Sequence, residues 1–536
     1  MNEKAVKKLT QKGCIVEKDA AESLTENDLE AIERLDTPPM VLSEKMLDSL
    51  RTTNGSSNKT EVEDTQQMEE TEEEPEELNY TGEGSEETEK DQGAPESLED
   101  DEENGTDESD ESGSGSKFSA SKTVTIKDSG RRDRLKTKVE VLDRADVSKE
   151  EKDVPEFLAN YNDRYKKLKK LLMRRRELQS AVSIKNLERR DEGDQVAFIG
   201  MVNRKYSTKS GKYMVSLEDK TGEYRALVDE RDGERIVPDE IIGIRGSMGD
   251  GIVFANSVIR PDLPIPDGVN TTEQEVKAAY ISDLHLGSED TLYERFDRFA
   301  EWLNSEDASK IGYLVIAGDV VEGVGTYPGQ EDELEVTDIY KQYNLFEDWV
   351  DKLPDDIQVI VGPGNHDIVR LAEPQPAFDG DAFDRIHTYD NVHLVQNPQK
   401  VRLHGIESKG ILNLMYHGYS FDDHVDQIQD LREKAYDEPY HVMIDLLKRR
   451  HLAPTYGSNL MSPEGKDTLV IDEKPDIMVS GHFHSHSAES YKGTNVIASS
   501  SFQAQTDFQR RVGHVPDPGK VTVVNYKTRD TRVIQF

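Results

Sequence analysis

A chain of 536 residues with 109 acidic and 67 basic side chains, a formal charge of −42 and one cysteine is too long for one ordinary domain and too acidic for an ordinary polyanion binder. Cys14 alone excludes an internal disulfide and a cysteine-rich zinc finger, and the opening MNEKAVKKLTQKGC lacks the apolar centre of a signal peptide. With no apolar run long enough to span a bilayer, a soluble cytoplasmic protein of about three units is expected.

Residues 1–60 predict one small helical element, because Leu24, Leu29, Ile32 and Leu35 of AAESLTENDLEAIERL fall on one helical face. Residues 61–116 read as an acidic linker. From 61 to 112 there are 25 acids and one base, Lys90, so this stretch carries −24 and leaves −18 on the rest of the chain. Val62, Met68, Leu78, Tyr80 and Leu98 are nearly its only apolar side chains, too few to offset ordering entropy, and disorder is expected. The remaining −18 leaves two explanations open: a partner supplies positive surface, or the host cytoplasm is salty and acidic surfaces keep the protein hydrated.

The connecting segment 117–192 contains FLANYNDRYKKLKKLLMRRREL, with Leu158, Tyr161, Tyr165, Leu168, Leu171 and Leu172 at helical spacing. Lys166, Lys167, Lys169, Lys170, Arg174, Arg175 and Arg176 lie between them, either as a solvated face or as a helix that meets phosphates or the acidic linker. Over 193–265 the pattern changes to short alternating runs, QVAFIGMVNR, KYMVSLEDK, EYRALVDE and GIVFANSVIR, separated by Gly-containing turns. That spacing predicts a small β-barrel or sandwich. The run resembles the opening of an OB-fold, with Arg204, Lys205, Lys209 and Lys212 set either to meet phosphates or simply to solvate a hairpin.

Residues 275–536 alternate apolar runs with helical segments, one holding Phe296, Phe299 and Trp302, another Tyr340, Tyr343, Leu345, Phe346 and Trp349. An α/β or α+β domain around a large buried sheet is expected. All 13 histidines fall here. Five apolar runs each end in ligand-type residues: AAYISDLHLG, YLVIAGDVVEG, QVIVGPGNHD, NLMYHGYS and IMVSGHFHSH. Side chains just beyond the carboxyl ends of strands occupy the crevice where such folds bind ligands. If SGHFHSH stays extended, His482, His484 and His486 share one face.

In order along the chain these blocks read D-x-H, G-D, G-N-H-D, H-G and G-H-x-H, which resembles the calcineurin-like metallophosphoesterases. The resemblance implies one divalent ion on Asp283, His285, Asp319 and His484 and a second on Asp319, Asn365, His417 and His482, with Asp319 bridging. Mn²⁺ suits this mixed carboxylate, amide and imidazole set, with Mg²⁺ as the other option. Two such ions about 3.5–4 Å apart lower the pKa of an attacking water and clamp a phosphate. His366, next to the ligand Asn365, would stabilise phosphoryl oxygens or protonate a departing 3′ oxygen, with Asp367 orienting its ring. His486 is left over as a groove or structural residue.

HGYSFDDHV, LLKRRHLAPTYG at 446–457 and the tail SSSFQAQTDFQRRVGHVPDPGKVTVVNY, behind an OB-like module, narrow the resemblance over roughly 154–536. They are similar to the small subunits of archaeal family D replicative DNA polymerases. That implies a large catalytic subunit as partner, DNA with 3′ ends as substrate and a metal-dependent 3′-to-5′ proofreading exonuclease. A catalytically silent scaffold subunit and a stand-alone phosphatase or nuclease are the alternatives, and intact ligand blocks favour the enzyme. No sliding-clamp box is found, which leaves a sliding clamp open as a partner.

Overall fold

The computed structural model describes residues 15–16, 24–25, 32, 41–42, 135–145, 147, 152 and 154–536, except 328 and 407. The acidic linker, Cys14, Leu29 and Leu35 lie outside the described residues. The chain divides into two units, Met1–Ser112 and Gly113–Phe536. In the first, β1 (Ile15–Val16) and β2 (Val41–Leu42) pair in parallel, and Leu24 and Ile32 are buried.

The second unit opens with β3 (Val139–Leu142) and α1 (Val154–Leu172). Tyr165, Leu168 and Leu172 form the buried stripe of α1 and share a cluster with Ile199 and Ile241. Arg164 breaks the expected division into apolar and solvated faces. It is 1% exposed, and its guanidinium donates to Asp467 Oδ2 at 2.6 Å and to the Pro454 carbonyl at 2.7 Å.

β4 (Gln195–Ser207), β5 (Tyr213–Asp219), β6 (Gly222–Val228), β7 (Ile241–Met248) and β8 (Val253–Ile259) close into a barrel in the order β4-β5-β6-β8-β7. Phe198, Val202, Val215, Leu217, Ile242 and Ile244 fill its core. Lys205, one of its candidate phosphate contacts, instead donates from Nζ to the Gly233 and Glu234 carbonyls.

The remainder is a two-sheet sandwich with helices outside each sheet. It contains β9 (Lys277–Ile281), α2 (Tyr293–Leu303), β10 (Ile311–Ala317), α3 (Ile339–Val350), β11 (Gln358–Gly362), β12 (Val392–Leu394), β13 (Gln399–Leu403) and β14 (Ile411–Met415). After these come α4 (Phe421–Asp426), α5 (Tyr440–Arg449), β15 (Ile477–Ser480), β16 (Ser487–Tyr491), β17 (Thr494–Ala498), α6 (Asp507–Val512), β18 (Lys520–Asn525) and β19 (Thr531–Gln535). One sheet runs β12-β11-β10-β9-β18-β19 and the other β16-β17-β15-β14-β13-β3. β3 thus reaches over from upstream of the barrel to finish the second sheet, pairing antiparallel with β13.

Tyr280, Val315 and Ile360 of one sheet and Val401, Met415 and Val479 of the other meet in the central core. Every residue of β10 and β11 is buried, as parallel strands covered on both faces require. The barrel is joined to the sandwich by buried charge: Glu240 accepts from Arg260 and Arg449, and Arg449 also donates to Asp445 on its own helix α5.

Candidate metal centre

β9, β10 and β11 are mutually parallel, as are β14 and β15, so the ligand-type residues that follow them gather at one edge of the sandwich. The chain turns sharply there. Asp283, His285, Asp319, His482 and His484 all have positive φ, between 48° and 76°, a region that non-glycine residues avoid. Such bends cost about 1–3 kcal/mol each and persist where neighbours hold them. Here Asp283 N donates to the Gly318 carbonyl at 3.0 Å, and His366 N to Asp319 Oδ1 at 2.8 Å. The motif glycines have a steric reason as well: a Cβ on Gly364 would strike the Asp319 carboxylate, and one on Gly481 that of Asp283.

Asp283, His285 and His484 form one cluster, Asp283, Asp319 and His417 a second, and His285, Asp319 and His366 a third, with every member buried except the half-buried His366. His285 Nε2 lies 3.0 Å from His484 Nε2, 3.8 Å from Asp319 Oδ2 and 4.0 Å from Asp283 Oδ1. On the other side His417 Nε2 lies 3.2 Å from Asp319 Oδ2 and 3.0 Å from Asn365 Oδ1. Asp319 therefore belongs, like Asp283 and His285, to two of these clusters, and its Oδ2 lies between His285 and His417.

Both flanking rings are oriented from behind. His285 Nδ1–H donates to Glu322 Oε2 at 2.8 Å and His417 Nδ1–H to the Ala317 carbonyl at 2.9 Å, leaving Nε2 of each to face the carboxylates. Burial pushes Asp319 up, yet His417, His366 and His285 hold its carboxyl well below the usual range. Against the push of burial, Asp319 in turn raises His417 to about 10. A site this rich in acceptors favours a cation, and its carboxylate, amide oxygen and imidazole donors fit a divalent one.

Two sequence-based expectations need correction. SGHFHSH does not stay extended, because the left-handed turns at His482 and His484 separate the side chains. His484 turns into the first cluster. His482 Nε2 donates instead to Asp422 Oδ2 at 2.7 Å, with its ring 5.3 Å from that of His417, and His486 Nε2 bonds Thr522 Oγ1 at 2.8 Å. Secondly, Asp367 does not orient His366. Its carboxylate accepts from Gly364 N, Val320 N and Tyr343 OH, anchoring the loop from beneath, and burial with the neighbouring Asp319 pushes it up to about 7. His366 Nδ1 donates to the Glu322 carbonyl at 2.8 Å, and its ring stands edge-on to His285 at 4.8 Å.

Glu322 is the residue the motifs miss. It is 4% exposed and also accepts from Gln503 Nε2 at 2.8 Å and Gln330 Nε2 at 3.2 Å. A second acid three residues after Asp319 in the otherwise apolar string VIAGDVVEG was its signal. Asp422 behind His482 and Gln509, whose amide meets His484 Nδ1 at 2.9 Å, were likewise unmarked.

The B-subunit family of DNA polymerases alpha and epsilon matches residues 278–489. The DNA polymerase II small subunit of Archaeoglobus fulgidus is 38% identical over 383 residues, 69% of this chain and 75% of that protein. Those of Methanothermobacter thermautotrophicus and Methanocaldococcus jannaschii are 37% and 35% identical, over 70% and 72% of this chain and 78% and 67% of theirs. Among the described residues no helix is long and apolar enough to cross a membrane.

Proposed function

The chain belongs to the family of archaeal DNA polymerase II small subunits, and on that premise we propose that its crevice is a two-ion phosphodiesterase acting as a 3′-to-5′ exonuclease beside a large catalytic subunit. The observation that carries the reading is Asp319, which stands 3.8 Å from His285 on one side and 3.2 Å from His417 on the other. Asp283, His285, Asp319 and His484 would hold one divalent ion, and Asp319, Asn365 and His417 the second, with His482 joining them by leaving Asp422. When bound, such ions polarise phosphate oxygens and lower the pKa of an attacking water, a role for which Mn²⁺ is the first choice.

The chain's own groups do the rest. Glu322 fixes His285, and Ala317 fixes His417, so each ring keeps one nitrogen for the crevice. His366 is 18% exposed at the crevice mouth, with Nδ1–H committed to the Glu322 carbonyl. Its Nε2 is then the nitrogen left to stabilise a phosphoryl oxygen or to deliver a proton to the departing 3′ oxygen. The barrel, with its five strands in OB order, suits a platform for the large subunit or for a single strand.

Full-length chain assembled with the large subunit, given Mn²⁺ and DNA labelled at the 5′ end, should produce a ladder shortened one nucleotide at a time. Release of the label as a mononucleotide would refute the polarity. Absence of any degradation, with metal bound, would favour a scaffold role.

A further inference from the structure

Two strings that the metal centre leaves largely unused, HGYSFDD after β14 and PTYGSNLM after α5, meet in one cleft. It has a volume of about 440 Å³ and is lined by Tyr419, Asp422, Asp423, Tyr456, Asn459 and Leu460 among others. The cleft opens beside the centre. Its Asp422 holds His482 at 2.7 Å, and the ring of Tyr419 lies 6.0 Å from that of His482, which is itself 5.3 Å from His417.

The lining fits a nucleobase better than a phosphate. Tyr456 and Leu460 are 43% and 54% exposed, so apolar faces are on offer there. No lysine or arginine lines the cleft, and two carboxylates would repel a phosphate. Carboxylates do accept from the exocyclic amino groups of bases, and the Asp423 carboxylate has no hydrogen-bond partner among the described residues. The walls are also braced before any ligand arrives. Tyr456 packs edge-on against Phe157 and Tyr161 of α1 at 5.4 and 6.0 Å, and Asn459 Nδ2 donates to the buried Glu373 at 2.8 Å. A ring held in place loses little freedom when a base stacks on it.

We infer that this cleft receives the base of the 3′-terminal nucleotide while its phosphate lies at the metal centre. The inference rests on the phosphodiesterase reading. It is tested on the full chain with its large subunit and Mn²⁺, using three substrates: bis(p-nitrophenyl) phosphate, an oligonucleotide with an ordinary 3′ end, and the same oligonucleotide ending in an abasic nucleotide. The ordinary end should be favoured over the abasic one by about ten- to a hundred-fold in kcat/KM, carried by KM, and Tyr419→Ala should shrink that preference to about two-fold. Leu460→Asp, at an exposed position, should shrink it in the same way and guards against misfolding of the first variant. Equal cleavage of the two ends by wild type that still hydrolyses the base-free diester would overturn the cleft. So would a preference that survives both substitutions. If wild type loads metal but hydrolyses none of the three, the phosphodiesterase reading itself falls.

Discussion

Glu322→Gln tests whether the centre depends on a residue that touches no substrate. Glu322 is buried and receives hydrogen bonds from His285 Nδ1 and Gln503 Nε2 at 2.8 Å each and from Gln330 Nε2 at 3.2 Å. Glutamine keeps the shape but removes the charge and turns one acceptor into a donor that faces another donor. A charge-assisted hydrogen bond is about twice as strong as a neutral one, so His285 loses roughly half of what holds its ring. Loss of such support to a ligand histidine costs about ten- to a hundred-fold in metal affinity or activity. Titration calorimetry with Mn²⁺ should show that weakening, and hydrolysis measured at rising Mn²⁺ should recover most of the wild-type rate, because the ligands themselves remain. Wild-type affinity in the variant would refute the reasoning. A rate that stays low at saturating metal would move Glu322 from positioning His285 into the chemical step through His366.

Asp367→Ala should act mainly on stability: it strands the Gly364 and Val320 amides, and at about 1–3 kcal/mol for each unsatisfied buried donor, thermal unfolding should occur well below wild type. An unchanged melting temperature with lost activity would restore Asp367 to a catalytic role. Arg164→Ala leaves the buried Asp467 without its cation and should cost about 3–5 kcal/mol in urea unfolding, whereas a loss under about 1 kcal/mol would show the pair to be dispensable. His451 is pushed from 6.5 to about 4, chiefly by burial, so the unfolded chain binds its proton first as pH falls. Its contribution is therefore complete above pH 6.5 and is lost progressively down to about pH 4, at most about 3 kcal/mol. Melting temperatures that do not fall between pH 7 and pH 5 would contradict that assignment.

The strand-end motifs were legible because each ligand-type residue follows its own strand directly, so position along the chain is nearly position in the crevice. Asp283, His285, Asp319, Asn365, His417 and His484 converge on that basis alone. What surrounds them comes from across the sandwich and leaves no local pattern. Glu322 reaches His285 over a separation of 37 residues, and Gln509 reaches His484 from a short helix with no apolar periodicity. Period-two reasoning failed at SGHFHSH because His482 N donates to the Asp283 carboxylate, a contact that only the turned backbone can make. β3 was unreadable for another reason. VEVL is four residues long at a sheet edge, and its partner β13 begins more than 250 residues later.

The most direct test of the two-ion centre is Mn²⁺ stoichiometry measured beside exonuclease rate in one preparation of the assembled Asp319→Ala protein. Removing the shared carboxylate should reduce bound metal from about two ions per chain and abolish 3′-end hydrolysis, while assembly with the large subunit persists. Hydrolysis within a few-fold of wild type, or undiminished metal, would contradict the centre on which the proposed function stands.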